Sequence, residues 1–217
     1  MSKKIYLDYQ ATTPVDPEIL EKMLPFFSVN FANPHSNNHQ DGRSANEVIE
    51  EARENVANLI NAQSSEIIFT SGATESNNLA LKSIAKNYFE NKCQIISCKT
   101  EHKCVLESCH ELEKEGFKVT YLDVDEEGLI NINELENILK KEKSLVSIMM
   151  ANNETGVIQD VKKIGELCKK YSSIFHTDVA QSIGTQNIDI VEMNIDALSI
   201  SAHKIYGPKG IGALYIS

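Results

Sequence analysis

From residue 66 onward, short apolar runs alternate with stretches in which apolar residues recur at helical spacing. Seven runs read as strands, at 66–71, 94–99, 118–124, 145–151, 173–179, 197–202 and 211–217. Four helical stripes fall between the earlier ones. They are Leu81, Ile84, Ala85 and Tyr88; Val105, Cys109 and Leu112; Leu135, Ile138 and Leu139; and Ile164, Leu167, Cys168 and Tyr171. Such alternation predicts an α/β protein with a seven-stranded, mostly parallel sheet and helices on both faces. Only the last two strands are expected to lack a helix between them, and so short a loop cannot make a parallel crossover. The seventh strand is therefore expected to run antiparallel.

Before residue 66 the pattern is weaker. LDYQATTP (7–14) reads as an extended piece and a turn. A helix is expected over 17–27 with Ile19, Leu20, Met23 and Leu24 on one face. The Asn-rich loop NFANPHSNNHQDG (30–42) carries His35 and His39; it either lines a site or makes a surface connection. A second helix is expected from Ser44 to about Asn61, with Ile49, Ala52, Val56, Leu59 and Ile60 on its stripe and Ser44 with Glu47 as a capping box. No repeat or flexible linker breaks the alternation after it. The division expected is an N-terminal segment, 1–15, and a large domain, 16–217.

Composition narrows the function classes. With 217 residues, 41% hydrophobic and 24% charged, the chain can bury one substantial core. A formal net charge of −10 argues against a surface built to neutralise nucleic-acid phosphates or anionic lipid, so small molecules or proteins are the expected partners. MSKKIYLDYQ turns polar too early for a secretory signal, and no apolar run is long enough to cross a bilayer, which makes the cytoplasm the expected compartment. Five cysteines (Cys93, Cys98, Cys104, Cys109, Cys168) make an odd set whose spacing matches no common zinc site, so neither a disulfide framework nor a bound metal is expected. Cys98, Cys109 and Cys168 read as buried small hydrophobes.

The chemistry gathers just after the strands, where ligands bind in a doubly wound sheet. SAHKIYGPKG (201–210) follows the sixth strand and sets Lys204, which can form a Schiff base with an aldehyde, beside Ser201 and His203 as hydrogen-bond donors. SGATESN (71–77) offers a glycine turn, the Thr74 hydroxyl and a helix N-terminus that favours phosphate. TEHKC (100–104) places His102, ANNETG (151–156) places Asn152 and Asn153, and HTDVAQS (176–182) ends a strand on Asp178. A carboxylate there needs a partner, and a protonated ring nitrogen suits it. An aldehyde, a phosphate, a basic ring nitrogen and an aromatic plane together describe pyridoxal 5'-phosphate. Lys209 is a second lysine within reach of the same loop.

LDYQATTP, FTSGATESNN, TEHKCVLESC, ANNETGVIQD, HTDVAQSIG and SAHKIYGPKGIGALY, in this order, resemble the blocks of the cysteine desulfurases of iron-sulfur cluster assembly, within the fold-type I pyridoxal-phosphate enzymes. The resemblance implies that Lys204 holds the cofactor and His102 stacks on its ring as an acid-base group. Asp178 would pair with the ring nitrogen, Gln181 with the ring hydroxyl, and Asn153 with cofactor or substrate. Ala73 (through its backbone), Thr74, Ser201 and His203 would hold the phosphate, with Ala202 also at the cofactor. Implied further are removal of sulfur from L-cysteine to leave L-alanine, an enzyme persulfide, a homodimer, and a scaffold or sulfur-acceptor partner. Members of that family continue into a small C-terminal domain and a loop bearing the acceptor cysteine, neither of which this sequence contains; segment 1–15 would pack with that domain. The alternatives are a non-catalytic cofactor-binding or dimerisation fragment, and another fold-type I enzyme such as a selenocysteine lyase or an aminotransferase. A dinucleotide-binding domain lacks support because no G-x-G-x-x-G follows the first strand.

Overall fold

The computed structural model describes residues 5–88 and 93–217. Seven strands form one sheet in the order β1-β7-β6-β5-β4-β2-β3. They are β1 (Ile67–Thr70), β2 (Gln94–Cys98), β3 (Lys118–Leu122), β4 (Ser144–Ser147), β5 (Ile174–Asp178), β6 (Ala197–Ser201) and β7 (Gly212–Ile216). Pairings among β2 to β6 are parallel, whereas β7 is antiparallel to both β6 and β1. β1 therefore points the same way as β6, and the expected reversal of the last strand is present.

Side chains alternate between two cores, as a pleated sheet covered on both faces requires. Ile95, Leu145, Ala197 and Leu214 pack beneath α3 (Ala73–Asn87) and α4 (Lys103–Lys114). Their neighbours Ile96, Val146, Leu198 and Ala213 meet α2 (Gln40–Leu59), α5 (Ile132–Leu139) and α6 (Val161–Lys170). The expected stripes supply the contacts: Leu81, Ile84 and Ala85, Val105 with Cys109 and Leu112, Leu135 and Leu139, and Ile164 with Cys168 are buried. Tyr88, at the end of the first stripe, is exposed.

Three expectations need correction. β5 and β6 are also joined without a helix: 179–196 runs through turns and buries Ile183, Ile188, Ile190 and Ile195 instead. The helix expected over 17–27 ends early. α1 spans Pro17–Met23 and gives way to a 3-10 stretch at Leu24–Phe27, where Pro25 has no N–H to continue the ladder. Its apolar face is only partly covered: Met23 is half-buried, while Ile19, Leu20 and Leu24 are exposed. α2 starts at Gln40 rather than Ser44 and is capped by His39, whose Nδ1 accepts the Gly42 N–H at 3.1 Å. Ser44 Oγ instead accepts from Gln40 Nε2. Of the expected stripe, Ile60 is buried just past the end of α2 and Ile49 and Val56 are half-buried, whereas Ala52 and Leu59 are exposed; Ala57 is buried as well.

Candidate active site

The strand ends and the N-termini of α3 and α4 enclose a cavity of about 480 Å³, inside the range of roughly 300–1,000 Å³ usual for small-molecule sites. Ala73, Thr74, His102, Asn153, Asp178, Gln181, Ser201, His203 and Lys204 all line it. Of the residues expected at the site, Ala202 and Asn152 do not; the Ala202 N–H donates to Ile211 O at 3.1 Å, holding the turn after β6. Asn152 is buried, with its amide tied to Thr100 O and its Oδ1 accepting from Glu154 and Thr155 N–H, so it shapes the loop that presents Asn153. The loop at 30–42 borders a separate groove between Phe26, Phe31 and Val48.

Lys204 sits in a short 3-10 turn, Ala202–Lys204, directly after β6. Its Nζ donates to the carbonyls of Gln10 and Ala11, the latter at 3.1 Å. Segment 10–16 is stitched to the same turn: Thr13 N and Oγ1 both donate to His203 O, the Tyr206 N–H donates to Thr13 Oγ1, and Gln181 Nε2 donates to Gln10 O. Burial lowers the Lys204 pKa from its ordinary value, while the negative charges of Asp178, Asp8 and Glu154 act the other way. The amine is thus shifted toward the neutral form that attacks a carbonyl carbon.

Asp178 closes β5 at the cavity floor, nearly fully buried. Oδ1 accepts the Ala180 N–H at 2.9 Å and Oδ2 accepts Asn77 Nδ2 at 2.6 Å. Burial raises its pKa, opposed by these two donors and by His102 and Lys204. A cationic N–H entering the cavity would complete its shell. Opposite lies the start of α3, where Gly72, at φ 149°, provides no side-chain cap and leaves the first turn open to an anion. Gly212 of β7 passes so close beneath that an added Cβ would lie 2.6 Å from Gly72 Cα and 2.4 Å from Ile200 O.

His102 is the N-cap of α4. Its Nδ1 accepts the Cys104 N–H at 3.2 Å, and because a backbone N–H can only donate, the neutral ring carries its hydrogen on Nε2. Cys104 Sγ lies 3.0 Å from the same Nδ1 and also lines the cavity. The spacing of Cys104 on a helix gave no hint of this reach; it follows from α4 beginning at residue 103, so that Cys104 belongs to the first turn. Burial raises the Cys104 thiol pKa, which keeps the sulfur as S–H.

Two site-shaping residues carried no signal in the sequence. Asn77 is hidden in α3 but holds Asp178. Glu101, buried behind His102, accepts the Met149 N–H at 2.6 Å through Oε1 and ties the turn after β2 to the chain leaving β4. Its Oε2 has no protein partner, and burial raises its pKa well above the usual carboxylate range.

Comparison with known proteins agrees with this geometry. Residues 5–217 match the family model for class-V aminotransferases. The chain belongs to that family. A protein of Dictyostelium discoideum named probable cysteine desulfurase, mitochondrial, is 55% identical over 212 residues, covering 98% of this chain and 47% of the relative. One from Rickettsia bellii, named cysteine desulfurase IscS, is 56% identical over 212 residues, covering 98% and 52%. Among solved structures, SspA in complex with cysteine superposes with a TM-score of 0.94 at 46% identity, covering 98% of this chain and 61% of that one. This class-V chain therefore spans about half the length of the curated relatives it matches.

Proposed function

We propose that this chain is the cofactor-binding part of a cysteine desulfurase that holds pyridoxal 5'-phosphate and takes sulfur from L-cysteine. The observation that carries the reading is that the Lys204 amine and the Asp178 carboxylate open onto one cavity, with an uncapped helix N-terminus on its wall. The residues fit the cofactor: Lys204 would hold its aldehyde carbon, Asp178 its protonated ring nitrogen, and Ala73, Thr74, Ser201 and His203 its phosphate. His102 would face the ring, Gln181 its hydroxyl, and Asn153 the cofactor or substrate. When bound, the cofactor supplies an electron sink for bond cleavage at the cysteine carbon.

The chain's own groups manage the protons. Lys204, biased toward its neutral form, accepts a proton as a general base once freed from the Gln10 and Ala11 carbonyls. His102 presents Nε2–H as a donor. Sulfur then passes to a thiol, so that cysteine plus R–SH gives alanine plus R–S–SH. Cys104, held as S–H by burial, is a poor nucleophile for that step, and Cys93, Cys98, Cys109 and Cys168 are buried outside the cavity lining, so the acceptor is assigned to a thiol from outside these 217 residues. A homodimer, a scaffold or sulfur-acceptor protein, and a cytoplasmic setting belong to the same proposal.

The test is direct. Purified chain mixed with pyridoxal phosphate is expected to develop the visible absorbance of a lysine-bound cofactor; Lys204→Ala abolishes it and Lys209→Ala does not. Supplied with the remaining half of a relative and with excess dithiothreitol to reduce the persulfide, it is expected to release alanine and sulfide from cysteine. Keto-acid formation instead would make it an aminotransferase, preference for selenocysteine a selenocysteine lyase, and no absorbance a non-catalytic module.

A further inference from the structure

Between His102 and Asp178 runs a continuous line of short contacts made by Asn77 and Cys104. Asn77, wholly buried in α3, donates through Nδ2 to Asp178 Oδ2 at 2.6 Å and to Cys104 Sγ at 3.2 Å. One amide nitrogen carries two hydrogens, so both are used, one on each acceptor. That fixes the orientation of the amide and leaves Asn77 Oδ1 as the group without a partner, as observed. With Sγ accepting from Asn77, the thiol hydrogen is free to point at His102 Nδ1, 3.0 Å away, sharing that acceptor with the Cys104 N–H at 3.2 Å. Every donor in the line has one acceptor, running from Asn77 outward in both directions.

We propose that Asn77 and Cys104 are positioning residues that strap the His102 imidazole to the Asp178 carboxylate, so that the group facing a flat heteroaromatic ligand and the group at its ring nitrogen are held as one unit. The proposal rests on the cofactor reading above. Asn77 acts by supplying a hydrogen to Oδ2, which keeps the carboxylate charged and aimed into the cavity despite its burial. Cys104 acts by holding the second amide hydrogen, preventing the amide from turning, and by tying the imidazole to it.

The discriminating probe is a pair of ligands: pyridoxal phosphate and its 1-deaza analogue, in which C–H replaces the ring nitrogen. Wild type is expected to prefer the first on the order of tenfold, the value of a charge-assisted hydrogen bond. Asn77→Leu, close in size, is expected to remove most of that preference, Cys104→Ala a smaller part, and Cys104→Ser to restore it. A purely structural role would weaken both ligands by the same factor, and that result, or an unchanged ratio in the Asn77 and Cys104 variants, overturns the strap. A check independent of the cofactor uses carbon-13 NMR of the Asp178 carboxyl in the ligand-free chain. His102 and Lys204 favour its charge, Glu101 opposes it, and Ala180 N–H holds its other oxygen. Against that constant background Asn77→Leu is expected to move its titration to higher pH, and no movement would refute the proposal. Failure of wild type to bind either ligand, with the NMR shift present, would instead refute the cofactor reading and leave the strap standing.

Discussion

At the scale of single residues, exposed groups such as His102 and Thr74 share the site region with polar groups that water cannot reach. His176 of β5 is fully buried beneath the cavity, bridging Ser147 Oγ at 2.9 Å and Ser199 Oγ at 3.0 Å across three strands. Burial pushes its pKa down to about 3. The unfolded chain therefore takes up this proton first as pH falls below 6.5, and stability drops by up to about 1.4 kcal/mol per pH unit until the folded ring titrates. His176→Gln is expected to lose about 1–3 kcal/mol at pH 8 through broken hydrogen bonds, yet to flatten the acid limb of a urea-unfolding series between pH 6.5 and 3. Glu101 has the opposite sign. Its raised pKa means that its contribution is full below 4.5 and is lost as pH rises through the folded value. The stability of Glu101→Gln relative to wild type is thus expected to rise with pH above 4.5, measured as a widening gap in melting temperature. Lys204, His102 and Asp178 stood out in the sequence because reactive residue types followed apolar strands. Asn77, Glu101 and His176 did not, because an amide on a helix, an acid beside a histidine and a histidine inside a strand look ordinary until the burial of each is known.

At the scale of elements, the periodicity identified all seven strands, with β4 ending four residues earlier than expected and the others within about two residues of their limits, and it placed the stripes of four of the six α-helices among the described residues, since each presents a stripe or run to a core. The weaker signals failed for local reasons. α2 begins with Gln-Asp-Gly-Arg, which reads as loop, and its cap is a histidine rather than the serine four residues inside the helix. His39→Ala is accordingly expected to cost about 1 kcal/mol and Ser44→Ala a few tenths at most, by denaturant titration. Beside the cavity, β7 packs tightly at Gly212. A methyl group there meets the β6 backbone and the turn that opens α3, so Gly212→Ala is expected to destabilise the fold by at least about 2 kcal/mol and to weaken phosphate retention at the α3 N-terminus, scored by equilibrium dialysis with pyridoxal phosphate.

At the scale of the whole molecule, the N-terminal stretch leaves many apolar side chains open to solvent. Ile5, Leu7, Leu24, Phe27, Val29 and Phe31 are exposed, each with more than half of its surface open to solvent, in the first 31 residues of a chain whose net charge is −10. Patches of that kind promote association. The chain alone is expected to scatter light with increasing concentration, and Phe27→Ser, at a position 74% exposed, to reduce that scattering without lowering the melting temperature. The sequence by itself determined the alternating architecture, the reversal of β7 and the reactive side chains of the cavity, because apolar periodicity and residue chemistry are local properties of the chain. Only the tertiary structure decided that the Gln10 and Ala11 carbonyls hold Lys204, that Asn77 reaches Asp178 across 101 positions, and that Cys104 enters the site. Those contacts join residues whose separation along the chain carries no energy of its own; they exist because strand order, helix start and burial bring the groups within hydrogen-bonding distance.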